Sequence, residues 1–186
     1  MGQDWIRWTP SVAKADPRLL KQVSDFKPVD TPQARDAGQA AATWLRDRAL
    51  RDFRSTVTRL MIIDDVLEGF YSLAASRVEL TTSHRRNVGE QPVQPAALIT
   101  WLAKRNGSQV SGVQLLTHAL GTALKVSEDM GIVAIVLDPY DEGSAEVWRS
   151  EPYRFRTSRT RGADGSVRLW RSILVEGYDA GRKGHC

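Results

Sequence analysis

The stretch from Ala97 to Phe155 constrains the fold more than any other part of the chain. Ala97–Ala103 (ALITWLA) is apolar almost throughout, as a strand buried on both faces must be. Lys104–Gly112 (KRNGSQVSG) is a basic turn that contains glycine. Between Gly112 and Met130, the residues Leu116, Ala119, Leu120, Ala123, Val126 and Met130 form one helical stripe, and Gly131 stops it. Ile132–Leu137 is a second apolar strand, ended by Asp138-Pro139. Asp141 can then cap a short helix to Trp148. A helix between two apolar strands is a parallel crossover unit. A turn of free backbone N–H groups at a helix N-terminus attracts anions, so this order points to a phosphate-bearing ligand.

The N-terminal part follows a different pattern. Residues 1–30 are polar, with Trp5, Trp8 and Phe26 as isolated anchors and one short helix over Pro17–Val23. Thr31-Pro32 carries the cap-and-proline signal of a helix start. Ala37, Ala41, Trp44, Leu45, Ala49 and Phe53 then recur at helical spacing to about Arg54. Thr56–Ile63 and Val66–Val78 flank Asp64-Asp65 and predict a hairpin. Residues 81–95 are polar with two prolines and read as a loop. Tyr153–Thr157 and Val167–Ile173 read as two more strands, and 175–186 as a frayed tail. The sum is an α/β (α+β) fold with a mixed sheet and helices on both faces. One domain over 1–186 is expected, its core at about 26–174, with 1–25 and 175–186 peripheral.

The net charge is +4, and the arginines are clustered. Arg46, Arg48, Arg51, Arg54 and Arg59 share one segment and Arg85-Arg86 another. A solvated basic face is one reading; a surface for a polyanion such as RNA is the other. Cys186 is the single cysteine, and His84, His118 and His185 are scattered, so there is no internal disulfide and no zinc spacing. No apolar run approaches the ~18–20 residues that span a bilayer. The start MGQDWIRW has no apolar signal core, so a cytoplasmic protein without a membrane partner is expected.

Two segments carry a family resemblance. Trp44–Ser76 (WLRDRALRDFRSTVTRLMIIDDVLEGFYSLAAS) places a Trp-Leu-Arg helix before a strand, a short turn and the strand Gly69-Phe70-Tyr71-Ser72-Leu73. Leu115–Trp148 supplies the long helix, core strand, aspartate and short helix. On these residues the chain resembles the Gcn5-related N-acetyltransferases (GNAT) over about residues 26–158. It is most similar to the bacterial toxin-type branch, which acetylates the amino group of aminoacyl-tRNA. The resemblance implies a mostly antiparallel sheet whose central parallel strands, Ala97–Ala103 and Ile132–Asp138, splay around acetyl-CoA. It implies that backbone groups of Trp101, Leu102 and Ala103 pair with the pantetheine arm. It places the pyrophosphate on Gly107, Ser108, Gln109, Val110, Ser111 and Gly112. The implied reaction is acetyl transfer to a primary amine on aminoacyl-tRNA, with Arg46, Arg48, Arg85 and Arg86 facing the RNA. Acetyl-CoA, tRNA or another polyanion, and a second copy of the chain are the partners to expect.

The chain departs from the family pattern twice. The family turn reads Arg/Gln-x-x-Gly-x-Gly/Ala. Here its first position is Gly107, its central glycine is Val110, and only Gly112 remains. Val110 adds a branched side chain where backbone approaches phosphate, which predicts weakened binding and a gain from Val110→Gly. The toxin-type branch commonly has a tyrosine late in the short helix that protonates the leaving thiolate; that position here is Trp148. An indole N–H is no practical general acid, so Tyr140 and Tyr153 are the candidate replacements. Glu68, at the entry to the Gly69 strand, is the candidate base for the acceptor amine, and His118 reads as a packing residue. Two functions stay open: an N-acetyltransferase, and a catalytically degenerate relative acting as a binding or regulatory module.

Overall fold

The computed structural model describes residues 2–32, 34–80, 91–162 and 165–173. Arg85, Arg86 and the tail 175–186 lie outside these described residues. In chain order the elements are β1 (Gln3–Arg7), α1 (Pro10–Ala15), α2 (Pro17–Ser24), α3 (Arg35–Asp47), β2 (Thr56–Ile63), β3 (Val66–Glu79), β4 (Val93–Lys104), α4 (Gly112–Met130), β5 (Ala134–Leu137), α5 (Glu142–Arg149), β6 (Arg156–Arg161) and β7 (Val167–Ser172). The strands form one sheet in the order β1-β2-β3-β4-β5-β7-β6. Every neighbouring pair is antiparallel except β4–β5. This is the expected α/β (α+β) class, a mixed and mostly antiparallel sheet with one central parallel pair.

The helices divide between the two faces. Trp8, Leu19, Val23, Phe26, Ala42 and Leu45 of the N-terminal region pack with Leu60, Leu67, Phe70 and Ala103 on one side. On the other, Leu116, Ala119 and Ala123 of α4 and Ala145 of α5 pack with Tyr71, Leu73, Ile99, Ile135 and Leu137. The alternation of Phe70 and Tyr71 along β3, one to each core, is the period of two expected of a strand covered on both sides.

Several boundaries moved, each for a local reason. Thr31-Pro32 does not start a helix; the Thr31 carbonyl accepts from the amides of Ala34 and Arg35, and α3 begins at Arg35. The same cap-and-proline signal does work at Thr9-Pro10, where the Val12 amide donates to Thr9 Oγ1, and at Asp16-Pro17, where Leu19 donates to Asp16 Oδ1. β1 was hidden in the polar N-terminus, because an edge strand of five residues shows little alternation. β4 starts at Val93, so the predicted loop to residue 95 is too long. Pro95 is tolerated because β5 begins to pair only at Ala96, and its carbonyl accepts from Val133. The strand expected at Tyr153–Thr157 is instead β6 at Arg156–Arg161, since Ser150–Phe155 folds into hydrogen-bonded turns with Arg154 at φ 55.

The position of the site follows from where β4 and β5 part. Their pairing stops at Ile99↔Leu137, while β4 continues to Lys104 with β3 alone. Two features drive the strands apart. The β3–β4 register shifts between Ser72 and Leu73, which leaves Thr100 as the extra residue and bends β4. At the end of β5, Asp138 is gripped by Arg168 of β7, Nε to Oδ1 at 2.7 Å and Nη2 to Oδ2 at 2.6 Å. Arg168 also donates to Ser76 Oγ of β3, and Pro139 follows with no N–H to offer a ladder. One edge of β4 from Thr100 to Ala103 is thus left without a strand partner; at Lys104 the carbonyl already accepts from the Val29 amide.

Candidate functional site

The turn between β4 and α4 is held from beneath. The Arg105 amide donates to the Glu68 carbonyl at 2.8 Å, the Asn106 amide to Lys27 O at 2.8 Å, and the Ser108 amide to Arg105 O at 3.1 Å. Gly107 sits at φ 71, the left-handed region that glycine enters without strain. α4 then opens with a capping box: the Gln114 amide donates to Ser111 Oγ, and the Ser111 amide to Gln114 Oε1 at 2.8 Å. The Val110 amide is satisfied by Ser108 Oγ at 3.0 Å. The first two amides of the helix, Gly112 and Val113, have no partner within it and form its positive end.

Val110 does not stand where the alignment suggested. Its side chain is 2 % exposed and packs with Met61 and Leu115 under the turn. It is turned into the core rather than out to solvent. Val110→Gly should not tighten ligand binding. It should instead destabilise the fold by about 2–3 kcal/mol, the loss of one buried branched side chain, measurable by denaturant titration. Gln109 and Ser111 are exposed, Gly107 and Ser108 line the turn, and Ala103 buries its methyl against the N-terminal helices.

Tyr153 is brought to the same place. Its hydroxyl lies 2.9 Å from where a Cβ on Gly112 would be, so a larger residue there would displace the ring. The ring is half-buried and packs on Trp148 at 4.8 Å between centroids; Trp148 in turn meets Phe155 edge-on. The Tyr153 carbonyl accepts from Arg171 Nη1 at 2.7 Å, which ties the turn to β7. Burial pushes the phenol above its ordinary 10.0, so it stays protonated at neutral pH. Tyr140, by contrast, is 61 % exposed. Trp148 is the buttress of Tyr153, a role the sequence pattern gave no sign of.

Glu68 faces other work than base chemistry. It is buried and bonded to Arg105 Nη2 at 2.5 Å. Burial pushes its carboxyl up, but the Ser108 hydroxyl and the Arg105 guanidinium outweigh that and hold it below its ordinary 4.5. A carboxylate so placed anchors the turn. Arg46 donates to Thr43 Oγ1 at 3.2 Å, and Arg48 pairs with Asp52 at 3.8 Å, both at the far end of α3.

His118 packs against β1 and β3, as a half-buried residue of this helix is expected to. Its ring stacks on Trp5 at 3.7 Å and 4°, and Nδ1 meets the Tyr71 hydroxyl at 2.8 Å, which also bonds Thr122 Oγ1 at 2.8 Å. Burial raises the Tyr71 phenol to about 12. Burial, with Arg59 and Lys125, lowers His118 below its ordinary 6.5. The unfolded chain then binds a proton that the folded chain does not, so stability is lost as pH falls below 6.5. Thermal midpoints from pH 8 down to pH 5 should decline less steeply for His118→Gln than for the parent. An open groove of about 440 Å³ runs along this face of α4, lined by Gln3 and Trp5 of β1 and by Val113, Thr117, His118 and Lys125.

Solved structures of bacterial toxins share this arrangement. A tyrosine-to-phenylalanine variant of KacT superposes with a TM-score of 0.68 at 16 % identity, over 93 % of this chain and 96 % of that one. AtaT complexed with acetyl-methionyl-tRNAfMet gives 0.65 at 15 %, over 92 % and 95 %. AtaTR bound with acetyl-CoA gives 0.65 at 16 %, over 92 % and 94 %. The chain has the fold of the GNAT toxins. No family model matches the sequence, and neither does any curated protein. In this fold β4 and β5 part after Ile99↔Leu137, and the Tyr153 hydroxyl, packed on Trp148, meets the start of α4 at Gly112. Among the described residues, no helix is long and apolar enough to cross a membrane.

Proposed function

We propose that this chain is an acetyl-CoA-dependent N-acetyltransferase whose acceptor is the α-amino group of aminoacyl-tRNA. The observation that carries the reading is the Tyr153 hydroxyl, set against Gly112 at the start of α4, the helix that follows the parted strand β4. The residues fit the cofactor. The amides of Gly112 and Val113 would hold its pyrophosphate at the positive end of α4, and the backbone of Trp101, Leu102 and Ala103 would pair with the pantetheine amides. When bound, acetyl-CoA supplies an activated acetyl thioester. Tyr153 holds the proton that the leaving thiolate needs, and burial keeps it there at neutral pH. Acetyl transfer to an amine asks little else of side chains than position and a polarised carbonyl. The solved AtaT structures named above, with acetyl-CoA and with an acetylated aminoacyl-tRNA, support the choice of cofactor and acceptor.

The catalytically degenerate alternative rested on Val110 and Trp148. Val110 no longer favours it, because its side chain is turned into the core. Incubating the full chain with radiolabelled acetyl-CoA and a pool of aminoacyl-tRNAs separates the two. Label should appear on the aminoacyl group. Cofactor binding with no label in any amine would establish the binding-module reading instead.

A further inference from the structure

Beyond the point where β4 and β5 part, β4 sends its side chains to opposite faces. Leu102 goes toward α4, whereas Trp101 packs on the side of the N-terminal helices. There its ring stacks on Trp44 of α3, 5.9 Å between centroids and 28° between planes. Both indoles are only partly buried, whereas the neighbouring strand aromatics Phe70 and Tyr71 of β3 are wholly enclosed. α4 fills the Leu102 face and would present the cofactor, so a second substrate has to enter from the face of Trp101 and Trp44. The far end of α3 adds Arg46 and Arg48. A partly open aromatic pair is the chemistry that receives a planar π group.

We infer that Trp101, backed by Trp44, forms an acceptor subsite that stacks a planar group next to the reacting amine. The inference rests on the acetyltransferase reading and narrows its acceptor. Two sources share that chemistry: an aromatic aminoacyl side chain, and the terminal nucleobase of a tRNA.

The test compares phenylalaninamide with alaninamide, and phenylalanyl-tRNA with alanyl-tRNA, on the full chain and on Trp101→Ala, Trp101→Leu and Trp101→Phe. Phenylalaninamide should have a KM about tenfold lower than alaninamide, an advantage that Trp101→Ala removes and Trp101→Phe restores. Equal KM values for the amides, with a Trp101-dependent KM for both tRNAs, would assign the subsite to the nucleobase. Trp101→Leu keeps an apolar side chain if the alanine variant fails to fold. Calorimetric binding of phenylalaninamide and of an uncharged tRNA acceptor-stem hairpin needs no turnover. Loss of either interaction in Trp101→Ala sustains the subsite even if no acetyl transfer occurs, a result that would count against the enzyme reading alone. Binding and KM values indifferent to residue 101 for every acceptor would overturn the inference.

Discussion

Tyr153→Phe is expected to lower kcat by about 10²–10⁴-fold while leaving acetyl-CoA affinity within a few-fold of the parent. The variant removes one oxygen and keeps the ring, so the contacts with Trp148 and the fit against Gly112 survive. What disappears is the proton source for the leaving thiolate. Tyr140→Phe, at an exposed site, should leave kcat unchanged. Because burial raises the Tyr153 phenol above 10.0, the rate should not fall on the alkaline side until pH exceeds that value. A decline between pH 7 and 8 would point to another acid. Single-turnover measurements of acetyl transfer, with the acetyl-CoA dissociation constant determined separately, distinguish a chemical defect from a binding defect.

Asp138→Ala should destabilise the protein by about 3 kcal/mol or more, the cost of leaving a buried guanidinium without its partner. The Arg168 side chain is 9 % exposed and reaches β3 as well as β5, so water cannot readily replace the lost carboxylate. The damage should also extend to function. With Asp138 unpinned, the end of β5 is free to follow β4, and the edge of β4 from Thr100 onward loses its opening. Denaturant titration should show the lower midpoint, and acetyl-CoA binding should weaken in conditions where the variant remains folded. Arg168→Met, which removes the charge and keeps the packing volume, should cost less than Asp138→Ala.

The sequence exposed the frame of this site well and its side chains poorly. Ala97–Ala103, the α4 stripe and Ile132–Leu137 were legible because burial on two faces and a helical period both leave their mark locally. The parting of the strands was only half legible. Asp138-Pro139 marked an end, but the Arg168 that holds it lies far along the chain, and such a contact has no local signature. Val110 was misjudged because an alignment gives a position and not a direction. Its side chain fills a gap against Met61 and Leu115. Tyr153 was read as a strand residue beside two other tyrosine and tryptophan candidates. Ser150 and Pro152 were the available sign that the chain turns there, and the turn is what carries the ring back over Gly112. Glu68 looked like a free carboxylate until Arg105, distant in sequence, was found beside it.

Titration calorimetry of the full chain with acetyl-CoA tests the central claim most directly. Saturable binding of one equivalent is expected, with a dissociation constant in the range of about 1 µM to 1 mM usual for enzyme substrates. Val110→Gly should not tighten it, and Gly112→Val should weaken it, because its side chain would displace the Tyr153 hydroxyl from the start of α4. No heat of binding at millimolar acetyl-CoA, from a sample shown to be folded, would contradict the claim that this cleft holds the cofactor.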